Sequence, residues 1–90
     1  MNVNKWVFKW LYDLEYNEHT KKEKQVLFEK IVRSLNKTKV VASRKLVKLE
    51  DYIESLPWCL RDSKLYREAG SLQGLIGGCD ELIQEAKGLI

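Results

Sequence analysis

From Leu65 to Ile90 the apolar residues of this 90-residue chain return in one unbroken rhythm. Leu65, Ala69, Leu72, Ile76, Cys79, Ile83, Ala86 and Ile90 are spaced alternately four and three apart, with no slip of phase. That spacing puts all of them on one stripe of an α-helix, and the stripe needs another helix to cover it. The same segment carries Gly70, Gly74, Gly77 and Gly78. A break at Gly77-Gly78 would be free to reset the phase, and the phase is kept. The spacing therefore predicts one long helix, about 38 Å at 1.5 Å per residue.

The glycines fall about 120–180° from the centre of the stripe, taking 100° per residue. Each costs roughly 1 kcal/mol against alanine in a helix interior. A face of small residues lets a second backbone or a ligand approach closely. Gly70, Gly74 and Gly77 are thus expected to form a second packing surface, turned toward a partner.

Upstream, apolar residues also recur at spacings of three and four, no stretch alternates, and Pro57 is the one proline. The chain reads as all-α, a single domain over residues 1–90 built as a small bundle of about four helices. Helix one is expected from Val3 to Tyr16, with a broad apolar face of Val3, Trp6, Val7, Trp10, Leu11 and Leu14. Phe8, Tyr12 and Tyr16 form a second, aromatic row on its other side. Thr20 and Glu23 make the capping-box pattern T-x-x-E, so helix two is expected from there to Leu35, burying Leu27, Phe28, Ile31 and Leu35. "NKT", residues 36–38, reads as a short connection, with Thr38 capping helix three from Lys39 to Leu56. Helix three has its own seam of Ala42, Leu46, Leu49, Ile53 and Leu56, and Pro57 stops it. "PWCLRD" is the turn, Asp62 or Ser63 the next cap, and helices three and four pair as an antiparallel hairpin.

The chemistry-bearing residues are few. His19 is the only histidine and lies in the polar break before helix two, where a solvent-exposed or capping role is expected. Cys59 and Cys79 have neither CxxC spacing nor the density of a disulfide scaffold, so two reduced thiols in a cytoplasmic protein are expected. Cys79 belongs to the apolar stripe and is expected in the core. One histidine and two distant cysteines do not supply a four-ligand zinc site. "GSLQGLIGG" lacks the GK[ST] ending of a phosphate loop. No cofactor, no metal and no catalytic activity are expected. The first sixteen residues lack a signal peptide's apolar run and cleavage site. No uncharged run approaches the 18 or so residues of a membrane span.

Charge is the stronger signal. The net +3 hides an asymmetry: residues 21–48 carry ten Lys or Arg against Glu23 and Glu29, while residues 49–90 carry four basic groups against eight acidic ones. Lys30, Arg33, Lys37, Arg44, Lys45 and Lys48 would merge into one cationic plate if helices two and three packed side by side, a surface suited to the phosphates of nucleic acid or nucleotides. The turn between them does not read as a helix-turn-helix, and no cluster of asparagine, glutamine and arginine sits at one helix start to read bases.

The reading is a non-enzymatic helical protein that self-associates, or that binds and modulates a partner protein. Its expected contact residues are Phe8, Tyr12, Tyr16, Gly70, Gly74 and Gly77, since aromatic anchors dominate interface energy. The alternative is phosphate or nucleic-acid binding by the basic segment. Size, lysine content and the scarcity of catalytic groups suit a phage or mobile-element accessory protein.

Overall fold

A computed structural model describes residues 2–90, and they form three α-helices rather than four, with no strand among them. Helix α1 spans Lys5–Tyr16, α2 spans Lys21–Ser55 and α3 spans Ser63–Gly88, with a 3-10 turn at Trp58–Leu60 between the last two. The molecule is a rod of 58 × 18 × 17 Å. Its long dimension is that of α2, whose 35 residues rise about 52 Å.

The expected second and third helices are one. "NKT" is not a connection, and Thr38 caps nothing: it is half-buried in the helix, and its Oγ1 donates to the Ser34 carbonyl at 3.3 Å. Two physical reasons account for this. No glycine or proline lies between Lys21 and Leu56 to break the backbone. In addition, the inward stripe runs Leu27, Ile31, Leu35, Thr38, Ala42, Leu46, Leu49, Ile53, so threonine fills a seam position and the phase carries across it.

The helix ends follow local chemistry. Asn4 caps α1, its Oδ1 accepting from the Trp6 N–H at 3.0 Å, so the helix starts two residues later than the apolar pattern suggests. Thr20 caps α2 as expected: its Oγ1 accepts from the Glu23 N–H at 3.2 Å and donates to the Glu23 carboxylate at 3.1 Å. Asp62, rather than Ser63, caps α3 and accepts from the Lys64 N–H at 3.0 Å. At the other end of α2 the Arg61 guanidinium donates to the carbonyls of Leu56 and Glu54, filling acceptors that a helix C-terminus leaves open. Helix α3 runs straight through Gly77-Gly78 and ends at Gly88, as the unbroken phase requires.

Helices α2 and α3 fold back on each other as an antiparallel hairpin, tied across by a Lys39–Asp80 ion pair. Helix α1 lies over one end only. There Val7 and Leu14 join Ile31 and Leu35 of α2 and Cys79 and Ala86 of α3 in a shared core. Beyond it the hairpin continues as a two-helix arm whose buried side chains are Ala42, Ile53, Ala69 and Leu72. Two helices cannot enclose a volume as three can. Leu46, Leu49, Leu56, Leu65 and Ile76 in that arm stay half-buried for this reason.

Candidate interaction surfaces

Three faces carry the residues singled out by the sequence, and each belongs to a different helix. On α1, Phe8, Tyr12 and Tyr16 are all exposed, at 53%, 63% and 65% of their full area. The Tyr12 and Tyr16 rings rest on each other with centroids 4.6 Å apart. Trp6, which the spacing places on the apolar face of helix one, is 56% exposed, with the Lys9 ammonium 4.7 Å from its ring centre. The inward stripe of α1 is narrower than the sequence pattern implied. Val7 and Leu14 fill it, with Val3, Trp10 and Leu11 at its edges, and Trp6 lies about 100° round the helix from Val7.

On α3, Gly70, Gly74 and Gly77 are exposed on the side away from the core. A methyl group built on any of them meets nothing within 4 Å, and the same holds for Gly78. None of the glycines adopts a positive φ. Within the chain, neither close packing nor backbone conformation calls for glycine at these positions.

On α2, Lys30, Arg33, Lys37, Arg44, Lys45 and Lys48 are all exposed, but they do not form a plate across two helices. They lie on one helix, within an arc of about 120° and over about 27 Å. No acidic residue interrupts positions 30–48. Among the described residues none of the six enters an ion pair. Lys39, the one cation of the stretch that is paired, marks the side facing α3; the other six lie about 120–180° round from it. Val40, Val41 and Val47 are interleaved with them and exposed.

Two concavities flank this ridge. An open groove of about 790 Å³ runs along α2 past Phe28, Val32, Val40 and Val41, with Arg33 and Lys37 at its edge. On the other side of the same two cations, a cleft of about 240 Å³ lies between α1 and α2, lined by Asn4, Trp10, Lys30, Arg33, Ser34 and Lys37. Sequence reasoning missed the cleft because Trp10 and Lys30 are twenty residues apart and meet only through the angle at which α1 crosses α2.

The remaining reactive groups are His19, Cys59 and Cys79. His19 is not solvent-exposed: its side chain keeps 14% of its area and bridges the two helices it separates. Nδ1 lies 3.1 Å from Glu23 Oε2 and Nε2 lies 3.3 Å from Asp13 Oδ1. Hydrogen bonding to Glu23 is the main reason its pKa is raised, and Asp13 adds to it. In return Glu23 is held below its ordinary value chiefly by His19, and Asp13 chiefly by Asn17 and then by His19. Cys79 is fully buried, and burial pushes its thiol pKa up, away from the thiolate a nucleophile needs. Cys59 is exposed beside Trp58. Among the described residues no cluster of histidine, cysteine and carboxylate side chains has the arrangement to hold a metal ion, and no helix is long and apolar enough to cross a membrane.

Comparison with known protein families, with curated proteins and with solved structures returns no match.

Proposed function

We propose that this is a non-enzymatic helical protein that works by association, with a second copy of itself or with a partner protein. One observation carries the reading. A compact monomer of 10.6 kDa exposes about 5,500 Å², whereas this chain exposes 6742 Å². The excess, roughly 1,200 Å², exceeds the approximately 800 Å² that each partner contributes to a standard interface. Part of the exposed surface is apolar: Trp6, Phe8, Tyr12 and Tyr16 are each more than half exposed. The aromatic row of α1 offers rigid anchors of the kind that dominate binding energy. The glycine face of α3 offers a smooth surface on which another helix can lie close.

The cost of leaving these faces bare points the same way. Glycine and valine are weaker helix formers than alanine, glycine by roughly 1 kcal/mol per position. Gly70, Gly74 and Gly77 bring no packing within the protomer to offset that cost. Contact with another chain would offset it.

The test is a pair of variants at exposed positions, one with open space around it and one whose ring rests on that of its exposed neighbour Tyr16. Gly74→Leu and Tyr12→Glu are expected to keep the helical circular dichroism of the parent and to lower its associated mass in sedimentation. Association at parental strength in both variants would contradict the assignment of these faces.

A further inference from the structure

The ridge on α2 and the cleft beside it have a chemistry that apolar association does not use. Six cations stand along one continuous helix with no acidic group between them in the sequence and, among the described residues, no ion pair to neutralise them. Bringing like charges together on one face costs free energy unless counterions or a polyanion screen them. Glu29 lies one turn before Arg33 and lines the neighbouring groove, and Asp51 follows Lys48 by three residues, so the uninterrupted cationic run is residues 30–48. Asp80 is already paired with Lys39 on the far side of α2, and neither Glu81 nor Glu85 lines the cleft. Asp13 is held by Asn17 and His19.

The cleft adds shape to the charge. Lys30, Arg33 and Lys37 border it on α2, Asn4 and Trp10 border it from α1, and Ser34 lies at the junction. Trp10 is only half-buried there, packed against the core while also lining the cleft. An aromatic wall next to three cations suits a ligand with alternating flat rings and anions. From the cleft the ridge continues to Arg44, Lys45 and Lys48, about 27 Å end to end, which is too long for one mononucleotide and suits an extended chain of phosphates.

We propose that the α1–α2 cleft and the α2 ridge bind single-stranded nucleic acid, with phosphates on Lys30, Arg33, Lys37, Arg44, Lys45 and Lys48 and a base against Trp10. Single-strand sites elsewhere combine a cationic track with an aromatic stacking surface in this way, and they tolerate any sequence because every base has a π-face. The contacts are to backbone and ring faces, so no base-specific reading is expected. This site is independent of the association faces on α1 and α3, and either could fail without the other.

The experiment is fluorescence anisotropy of a labelled oligothymidylate of about twenty nucleotides, titrated with the full chain at several salt concentrations. Six phosphate contacts predict a fall in affinity of about 300-fold between 50 and 200 mM salt. Replacing Lys30, Arg33 and Lys37 together by Gln, all exposed, is expected to weaken binding about 100-fold at 0.1 M salt. The charge-matched control is Lys64, Arg67 and Lys87 of α3 replaced by Gln, which is expected to bind within about threefold of the parent, since none of these lies on the track. A second readout uses Trp6→Phe with Trp58→Phe, both exposed positions, so that Trp10 alone emits; the oligonucleotide is expected to quench that emission to a plateau. Equal weakening by the two triple variants, the absence of measurable binding at 50 mM salt, equal affinity for a duplex of the same length, or unchanged Trp10 emission would each overturn the proposal.

Discussion

Replacing Gly70, Gly74 and Gly77 of α3 by alanine together should make the protomer markedly more stable. The reasoning rests on two facts about each position. It is interior to a 26-residue helix, and a methyl group placed there meets nothing within 4 Å. Alanine then adds no clash and removes the extra backbone entropy that glycine loses on folding, about 1 kcal/mol per site. Summed site by site the three backbone effects come to about 3 kcal/mol, and alanine methyls one turn apart on this face can touch without clashing. For a domain of this size each kcal/mol moves the midpoint by about 4–8 °C, so thermal unfolding should shift upward by at least 12 °C or so. The assay is circular dichroism on heating, together with urea unfolding, in solutions dilute enough to keep the chain dissociated. An unchanged or lowered midpoint in dilute solution would refute the claim that this face is bare in the folded protomer.

Other consequences are as direct. Lys37 is exposed in the middle of α2, so Lys37→Pro should cost about 3 kcal/mol or more through the backbone alone; a near-neutral effect in urea unfolding would mean that the helix breaks at "NKT" after all. The His19 bridge makes stability depend on pH. Its pKa is raised by folding, so its contribution is complete below about pH 6.5 and is lost as pH rises through the higher folded value. Asp13 and Glu23 are lowered, so theirs is present above their unfolded values near 4 and is lost as pH falls. Unfolding midpoints should therefore peak in the weakly acidic range, and His19→Gln should flatten the alkaline side. An unaltered profile in that variant would remove the bridge from the account. The two thiols should separate cleanly: Cys59 reacts with a disulfide reagent in the native protein, and Cys79 only on unfolding. Equal rates would contradict the buried place of Cys79.

The sequence shows the C-terminal half of this architecture more plainly than the N-terminal half, for reasons that can be stated residue by residue. In α3 the apolar phase persists across Gly77-Gly78, and a helix that keeps its phase has no turn in it. The same test applied at Asn36-Lys37-Thr38 succeeds only if threonine is admitted to the inward stripe. Read as a polar cap, Thr38 hides the continuity of α2, and one helix looks like two. Trp6 falls on the expected face only because that face spans about 140° of the helix, from Trp6 to Leu11, while α1 touches its neighbours through a narrower strip centred on Val7 and Leu14. The exposure of Phe8, Tyr12, Tyr16 and the glycines follows from periodicity, which fixes direction around a helix. The Trp10 cleft and the His19 bridge depend on how α1 crosses α2, and no spacing within either helix encodes a crossing angle.

The cationic residues were recognisable one by one, and what changed was their arrangement. Two helices side by side would have made a broad plate; one continuous helix makes a narrow ridge bordered by an apolar groove on one side and an aromatic cleft on the other. The two proposals therefore rest on separate surfaces, association on α1 and α3 and anion binding on α2 and its junction with α1.

Association is tested most directly by the solution mass of the unmodified chain, measured by light scattering at about 50 mM and about 500 mM salt, where charge screening lengths differ by more than a factor of two. An apolar interface predicts a mass at a multiple of 10.6 kDa that is the same at both salt concentrations. A mass of 10.6 kDa at both concentrations would contradict self-association, and an oligomer that dissociates in salt would contradict the apolar interface and place the contact between the basic and acidic parts of neighbouring chains.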